Sequence, residues 1–136
     1  MKFLKMSLLP AFAVFVSSSV SAQFKLAQWP ALQTFHGVMS ETFHPSEEGK
    51  LEPIKARSTE MYEKAVALSK SAIPDALKAK KGIKEAVAEL VKGTKVLDAL
   101  VKAKVSDEVI KTKLASLHDT FHKIIETCNK EDDEKH

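Results

Sequence analysis

Apolar residues recur every three to four positions in four separate stretches of this sequence. This spacing places the apolar residues of each stretch on one face of an α-helix. Four such faces joined by short connections predict an all-α fold, an antiparallel up-down-up-down four-helix bundle. The predicted faces are Trp29, Leu32, Phe35, His36, Met39 and Phe43; Ile54, Ser58, Met61, Ala65, Leu68 and Ala72; Ile83, Val87, Leu90, Thr94, Leu97 and Val101; and Ile110, Leu114, Leu117, Phe121, Ile124 and Cys128.

Prolines and capping residues indicate where the helices end. Pro45 predicts that the first helix stops before a loop over 45–50, because the residue before a proline disfavours helical geometry. Pro53 is expected to start the second helix, and Ser106 is an expected N-cap of the fourth. Residues 74–80 are either a linker or a short helical turn. The predicted helices span about 29–43, 53–72, 81–103 and 107–129.

The chain begins with a segment that has the three parts of a secretory signal peptide. Lys2 and Lys5 form a basic start, residues 8–16 are apolar, and residues 20–22 are small. We expect residues 1–22 to be removed, which predicts a periplasmic or secreted protein. The apolar run is too short to span a membrane, and no later apolar stretch is long enough to do so. The mature protein is therefore expected to have no integral membrane span.

Residues 23–129 are predicted to form the bundle domain, followed by a disordered polar tail over 130–136. Loss of the signal peptide lowers the net charge from +3 to +1, because two lysines leave with it. Lysines alternate with acids along the helices, which indicates a solvated surface and no nucleic-acid partner. Cys128 is the single cysteine and extends an apolar face. It is expected to be buried, with a ligand role or a homodimer through an intermolecular disulfide as open alternatives.

His36 interrupts the first apolar face and, at about 100° per residue, points inward. A buried imidazole needs a hydrogen bond or a metal ion at each ring nitrogen. Aligning the predicted helix ends places His36 level with Met61 of the second helix and Ala115 of the fourth. His118 then lies about 4.5 Å further along the axis.

These positions predict a metal ion as the ligand, held where His36, Met61 and His118 converge with Met39 or His122. His118 and His122 share one helix face because they are four residues apart, although that face flanks the apolar one. The histidines can equally be hydrogen-bonded structural residues, and the two methionines can be plain core side chains.

The ligand types narrow the choice of metal. Histidine with methionine favours copper, whereas histidine with a carboxylate such as Glu60 or Glu63 favours zinc. Both glutamates are predicted to point outward, so they are weaker candidates. His44 is a further candidate metal ligand, but the same alignment places it about 16 Å from His118, too far to share one ion. A structural role for His44 at the end of the first helix is the open alternative.

The chain resembles two groups of exported helical proteins. Its predicted architecture resembles the cytochrome b562 and cytochrome c′ bundles, which implies haem between the helices. Covalent haem is excluded because Cys-x-x-Cys-His is absent, but non-covalent haem b with Met39 or His36 and His118 as ligands is implied. Residues 29–128 are also similar to short secreted helical proteins that carry a Phe-His-Pro-x-Glu-Glu-Gly loop and a His-Asp-x-Phe-His-x-Ile-x-x-x-Cys helix. Here these are Phe43 to Gly49 and His118 to Cys128. This second resemblance implies the fold and no activity.

Three functions fit these features. The favoured prediction is a copper or zinc carrier, buffer or sensor. A b-type haem protein for electron transfer requires a cleft, which Gly93 can open between helices. A ligand-free, chaperone-like interaction module requires an exposed apolar face. An enzyme is not expected, because no Ser-His-Asp set, paired inward carboxylates or phosphate-binding loop can be recognised.

Overall fold

The computed structural model describes residues 24–130, and it confirms the predicted all-α, four-helix fold. Short 3₁₀ turns lie at Leu26–Gln28 and Asp75–Leu77, the second of which resolves the ambiguous segment 74–80 as a helical turn. The predicted signal peptide and all but the first residue of the predicted tail lie outside the described residues. The helices are α1 (Pro30–Glu47), α2 (Glu52–Lys70), α3 (Ile83–Lys102) and α4 (Asp107–Asn129).

Each helix packs beside the next one in the chain, and α1 also lies beside α4. Side-chain contacts join an early residue of one helix to a late residue of its neighbour, which is the order expected of antiparallel helices. Such pairs are Trp29 with Ser71 and Glu41 with Arg57 between α1 and α2, Ser58 with Asp98 between α2 and α3, and His36 with Phe121 and Phe43 with His118 between α1 and α4.

The core consists almost entirely of the predicted apolar faces, and all six predicted positions of α4 are buried. Ala72 is exposed, contrary to the prediction, because α2 ends at Lys70 and Ala72 belongs to the following turn. His36, Phe43 and Val101 are only half-buried. The apolar pattern also missed several buried residues, both apolar ones and small or polar ones: Val38, Leu51, Leu77, Thr42, Ser46, Ala86, Gly93 and Asp98.

Helix α1 continues through Pro45 to Glu47, so the predicted loop over 45–50 is wrong in its first half. Proline removes one helical hydrogen bond, the one that its N–H would donate to the Glu41 carbonyl. Near a helix end this loss is small, because the last turn is satisfied in another way. The N–H groups of Gly49 and Lys50 donate to the carbonyls of Ser46 and Pro45, with Gly49 at a φ of 83°. This is a Schellman ending, which needs the left-handed conformation that glycine adopts readily.

The longer α1 changes which residues of α1 and α4 lie side by side. His36 stacks on Phe121, with ring centroids 5.3 Å apart, six residues beyond the predicted partner Ala115. Four of those six residues correspond to the extension of α1 from 43 to 47. The predicted level of His36 against α4 is therefore wrong. No helix within residues 24–130 combines the length and apolarity that crossing a membrane requires.

Candidate metal centre

Helix α4 presents two histidines one turn apart on a face beside the core. The helix begins after Ser106, whose Oγ accepts a hydrogen bond from the N–H of Val109 at 3.4 Å, so the predicted N-cap is confirmed. The buried apolar face of α4 determines how the helix is rotated about its axis. That rotation leaves His118 half-buried and His122 exposed.

The Nε2 atoms of His118 and His122 lie 3.1 Å apart. Their ring centroids are 4.3 Å apart and the rings are inclined at 77°. In the metal-free pair one Nε2 donates a hydrogen bond to the other, according to the tautomers. Two Nε2 atoms bound to one tetrahedral zinc ion at about 2.0–2.1 Å would be about 3.3 Å apart. The two nitrogens are thus already at nearly the separation that one ion requires.

Phe43 near the end of α1 holds the ring of His118. The two rings are stacked, with centroids 3.8 Å apart and planes inclined at 15°. A stacked aromatic neighbour restricts the rotamers that an imidazole can adopt. His118 is therefore the positioned member of the pair, and His122 is the more exposed one.

Burial lowers the pKa of His118, and the neighbouring His122 lowers it further. His44 acts in the same direction, while the carboxylates of Asp119 and Glu47 oppose the shift. A lowered pKa keeps the imidazole neutral at a more acidic pH than an exposed histidine. Since a metal ion binds the neutral form, this environment favours the ligand-competent state of His118.

His44 lies much nearer to this pair than predicted. Its ring centroid is 5.9 Å from that of Phe43, and that of Phe43 is 3.8 Å from that of His118, so the centroids of His44 and His118 are less than 10 Å apart. The predicted 16 Å separation is wrong for the same reason as the His36 level, namely the longer α1. The Nδ1 atom of His44 lies 3.6 Å from Oε1 of Glu47, and both side chains are exposed.

His36 forms no three-ligand group with the α4 histidines within residues 24–130. It is half-buried between α1 and α4, where its ring stacks on Phe121 at an interplanar angle of 20°. Within the described part of the chain, no group of three or more His, Cys, Asp or Glu side chains is arranged to hold one ion. The structure therefore brings together two of the predicted ligands, His118 and His122, with His44 nearby.

The methionines and glutamates considered as ligands lie elsewhere. Met39 and Met61 are 1% and 0% exposed and belong to the apolar core. This position agrees with the alternative that both are plain core side chains. Glu60 accepts a hydrogen bond from Nε of Arg57 at 2.8 Å, and this bond lowers the pKa of the Glu60 carboxyl. Glu63 is exposed on α2.

The space that haem would need beside Gly93 is filled. A Cβ atom added to Gly93 would lie 2.4 Å from Cδ2 of Leu117, which shows that α4 packs directly against the glycine of α3. Gly93 thus permits close helix packing and does not open a cleft. Its buried position gives the haem alternative no structural support.

The interaction-module alternative requires an exposed apolar face, and the described residues offer little of one. Among residues 24–130, the large apolar side chains that are exposed are Val96 and Val109. Isolated exposed apolar residues are normal on protein surfaces.

A second polar cluster, which the sequence pattern missed, surrounds Asp98. Its carboxylate is 6% exposed and accepts hydrogen bonds from Ser58 at 2.9 Å, Thr59 at 2.7 Å and Lys102 at 2.9 Å. Burial alone would raise the pKa of Asp98, but the bonds from Lys102, Thr59 and Ser58 outweigh it and lower the pKa. Ser58 within an apolar face was the sequence signal for a buried polar partner. Every hydrogen bond of this cluster is internal, so it stabilises the α2/α3 contact.

Cys128 is buried at 4% exposure. Burial raises the pKa of its thiol to about 11, against the opposing charge of Lys80. A protonated, buried thiol is a poor nucleophile. The open alternative of a disulfide homodimer through Cys128 gains no support from this environment.

No protein-family model matches the chain, and neither the curated proteins nor the solved structures include a significant match.

Proposed function

We propose that this chain is an exported copper- or zinc-binding protein that holds one ion through Nε2 of His118 and of His122. The observation that carries the proposal is the 3.1 Å separation of these two nitrogens on an accessible helix face. The leading segment 1–22, with its basic start and apolar centre, supports export.

A site with two protein ligands differs from a structural metal site. Structural zinc sites are closed by four protein ligands, whereas sites with open positions admit water or another molecule. An ion held by His118 and His122 therefore remains exchangeable. Exchangeable binding suits a carrier or buffer, which must release its ion, better than a protein that keeps a permanent structural ion. Copper(II) is expected to bind more tightly than zinc, as it generally does at nitrogen ligands.

Metal titration of the purified protein tests this proposal. We expect calorimetry and elemental analysis to give saturable copper(II) and zinc binding in the wild type. Ala substitution of either α4 histidine, His118→Ala or His122→Ala, should weaken binding by more than about tenfold, because one of two ligands is lost. His36→Ala is the matched control, since it removes the same side chain from its stacking position on Phe121 and should leave affinity unchanged.

A variant with both α4 histidines replaced gives the decisive result. If it folds as a helical protein and still binds the ion as tightly as the wild type, the proposed ligands are wrong. A loss of affinity in His44→Ala as well would add His44, whose ring lies near that of Phe43, to the ligand set.

A further inference from the structure

A groove separate from the histidines lies where the end of α2 meets the beginning of α3. Its volume is about 640 Å³, within the range of about 300–1,000 Å³ that small-molecule sites occupy. The floor is apolar and is formed by Trp29, Leu68, Ile73 and Val87. None of these residues has a role in the proposed metal site.

The floor of the groove is firmly held. Trp29 is 2% exposed and Leu68 is 1% exposed, so both are anchored in the core. The indole Nε1 of Trp29 donates a hydrogen bond to Oγ of Ser71 at 2.9 Å, and that hydroxyl donates in turn to the Leu68 carbonyl at 2.7 Å. Because these polar atoms are already paired, the floor presents mainly carbon to a ligand.

Lysine side chains lie along one side of the groove. Lys78 and Lys84 line it, and both also line an adjoining hollow of about 370 Å³ together with Lys80 and Lys81. Lys78 is paired with Asp75 at 2.7 Å, and Nζ of Lys80 donates to the Cys128 carbonyl at 3.1 Å. Lys84 has no ion-pair partner among residues 24–130, so its charge is available to an anion.

We propose that this groove binds a single-chain anionic amphiphile of the fatty-acid class, with its alkyl chain on the apolar floor and its carboxylate at Lys84. An apolar floor with a cation at its edge complements a molecule that is apolar along its length and negative at one end. Burial of each further methylene group should tighten binding by up to about fourfold, until the floor is covered.

Trp29 supplies the signal for the test, because it is the single tryptophan of the chain and lies in the floor of the groove. The purified protein is titrated with dodecanoate below its micelle-forming concentration, and tryptophan emission is recorded. Dodecanol is the matched neutral ligand. We expect saturable binding of dodecanoate, binding of dodecanol that is weaker by up to about fivefold, and weaker binding of octanoate than of dodecanoate.

Matched charge reversals locate the carboxylate. Lys84→Glu should weaken dodecanoate binding by at least about tenfold. Lys92→Glu makes the same change of charge at an exposed position on α3 that does not line the groove, so it should change binding by less than about twofold. Ala88→Phe places a ring at an exposed position of the groove and should weaken both dodecanoate and dodecanol.

The proposal is overturned if calorimetry and tryptophan emission both show no saturable dodecanoate binding. It is also overturned if dodecanol binds as tightly as dodecanoate, or if the two charge reversals weaken binding equally. The inference is independent of the metal proposal, since His118→Ala should retain full dodecanoate binding.

Discussion

The α4 histidine pair and the Asp98 cluster are two sets of polar residues beside apolar helix faces, yet their surroundings differ. Asp98 is 6% exposed and receives three hydrogen bonds from Ser58, Thr59 and Lys102. His118 and His122 contact each other through nitrogens that remain accessible. The first set is saturated by the protein itself, whereas the second retains atoms that can bind a ligand.

This contrast separates polar residues that stabilise the bundle from those that can act on other molecules. A buried carboxylate must be paired because the loss of water around it is costly. His118 is half-buried and His122 is exposed, so these imidazoles are under a weaker constraint, and their contact at 3.1 Å contributes little to folding. The distinction depends on which atoms remain free. The variants at Asp98, His118 and His122 test its two sides, and a variant at Phe121 gives the scale set by the apolar core.

Phe121→Ala should have the largest effect on stability. The Phe121 ring is 3% exposed and packs against the rings of Phe35 and His36. Its removal leaves a cavity and should lower the free energy of unfolding by about 3–5 kcal/mol, measured by urea denaturation. Phe121→Leu, which retains most of the volume, should lose much less. Equal losses of stability in Phe121→Ala and Phe121→Leu would show that the side-chain volume at position 121 does not determine stability.

Asp98→Ala should have the next largest effect, a loss of about 1–3 kcal/mol in the free energy of unfolding. The substitution leaves Ser58, which is buried, without its partner on α3. Asp98→Asn retains an acceptor oxygen for the two hydroxyls and should lose less. If Asp98→Ala is as stable as the wild type, the Asp98 cluster contributes as little to folding as the histidine pair, and the contrast between the two sets is wrong.

His122→Ala should change the free energy of unfolding by less than about 0.5 kcal/mol, because the side chain is exposed. His118→Ala should lose somewhat more, since it also removes the stacking contact with Phe43. Urea denaturation without metal measures both. If the free energy of unfolding falls as much as in Asp98→Ala, the histidines stabilise the fold, and the contrast between the two sets is wrong.

The smallest expected effect is the change of stability with pH. The pKa of His118 is lowered from 6.5, so its contribution to stability is complete above about 6.5 and is lost as the pH falls through the lower folded pKa. The pKa of Asp98 is lowered from 3.8, so its contribution is lost only below about 3.8. Urea midpoints measured from pH 7.5 to 3 should fall in two steps. His118→Ala should remove the first step, and Asp98→Asn should reduce the second, to which the Glu60 carboxyl with its lowered pKa also contributes. A first step that persists in His118→Ala would contradict this assignment.

The sequence predicted the candidate site only in part. The i,i+4 spacing of His118 and His122 identified the pair, because helical geometry alone places such residues together. The same alignment placed His36 level with Ala115 and His44 about 16 Å from His118. Both placements were wrong, because His36 stacks on Phe121 and the ring of His44 lies within 10 Å of that of His118. Each depended on the level of α1 against α4, which changes with every residue by which α1 is longer or shorter.

Local rules were sufficient for the four helices, apart from the end of α1, and for most of the core. The apolar periods identified all six buried positions of α4, and the cap at Ser106 identified where that helix begins. Tertiary structure decided what no period encodes: that Leu117 occupies the space beside Gly93, and that Asp98 lies opposite Ser58. The physical reason is that helix formation depends on neighbours within about one turn. The contacts among different helices depend instead on their relative level and rotation, which are determined when the whole core packs together.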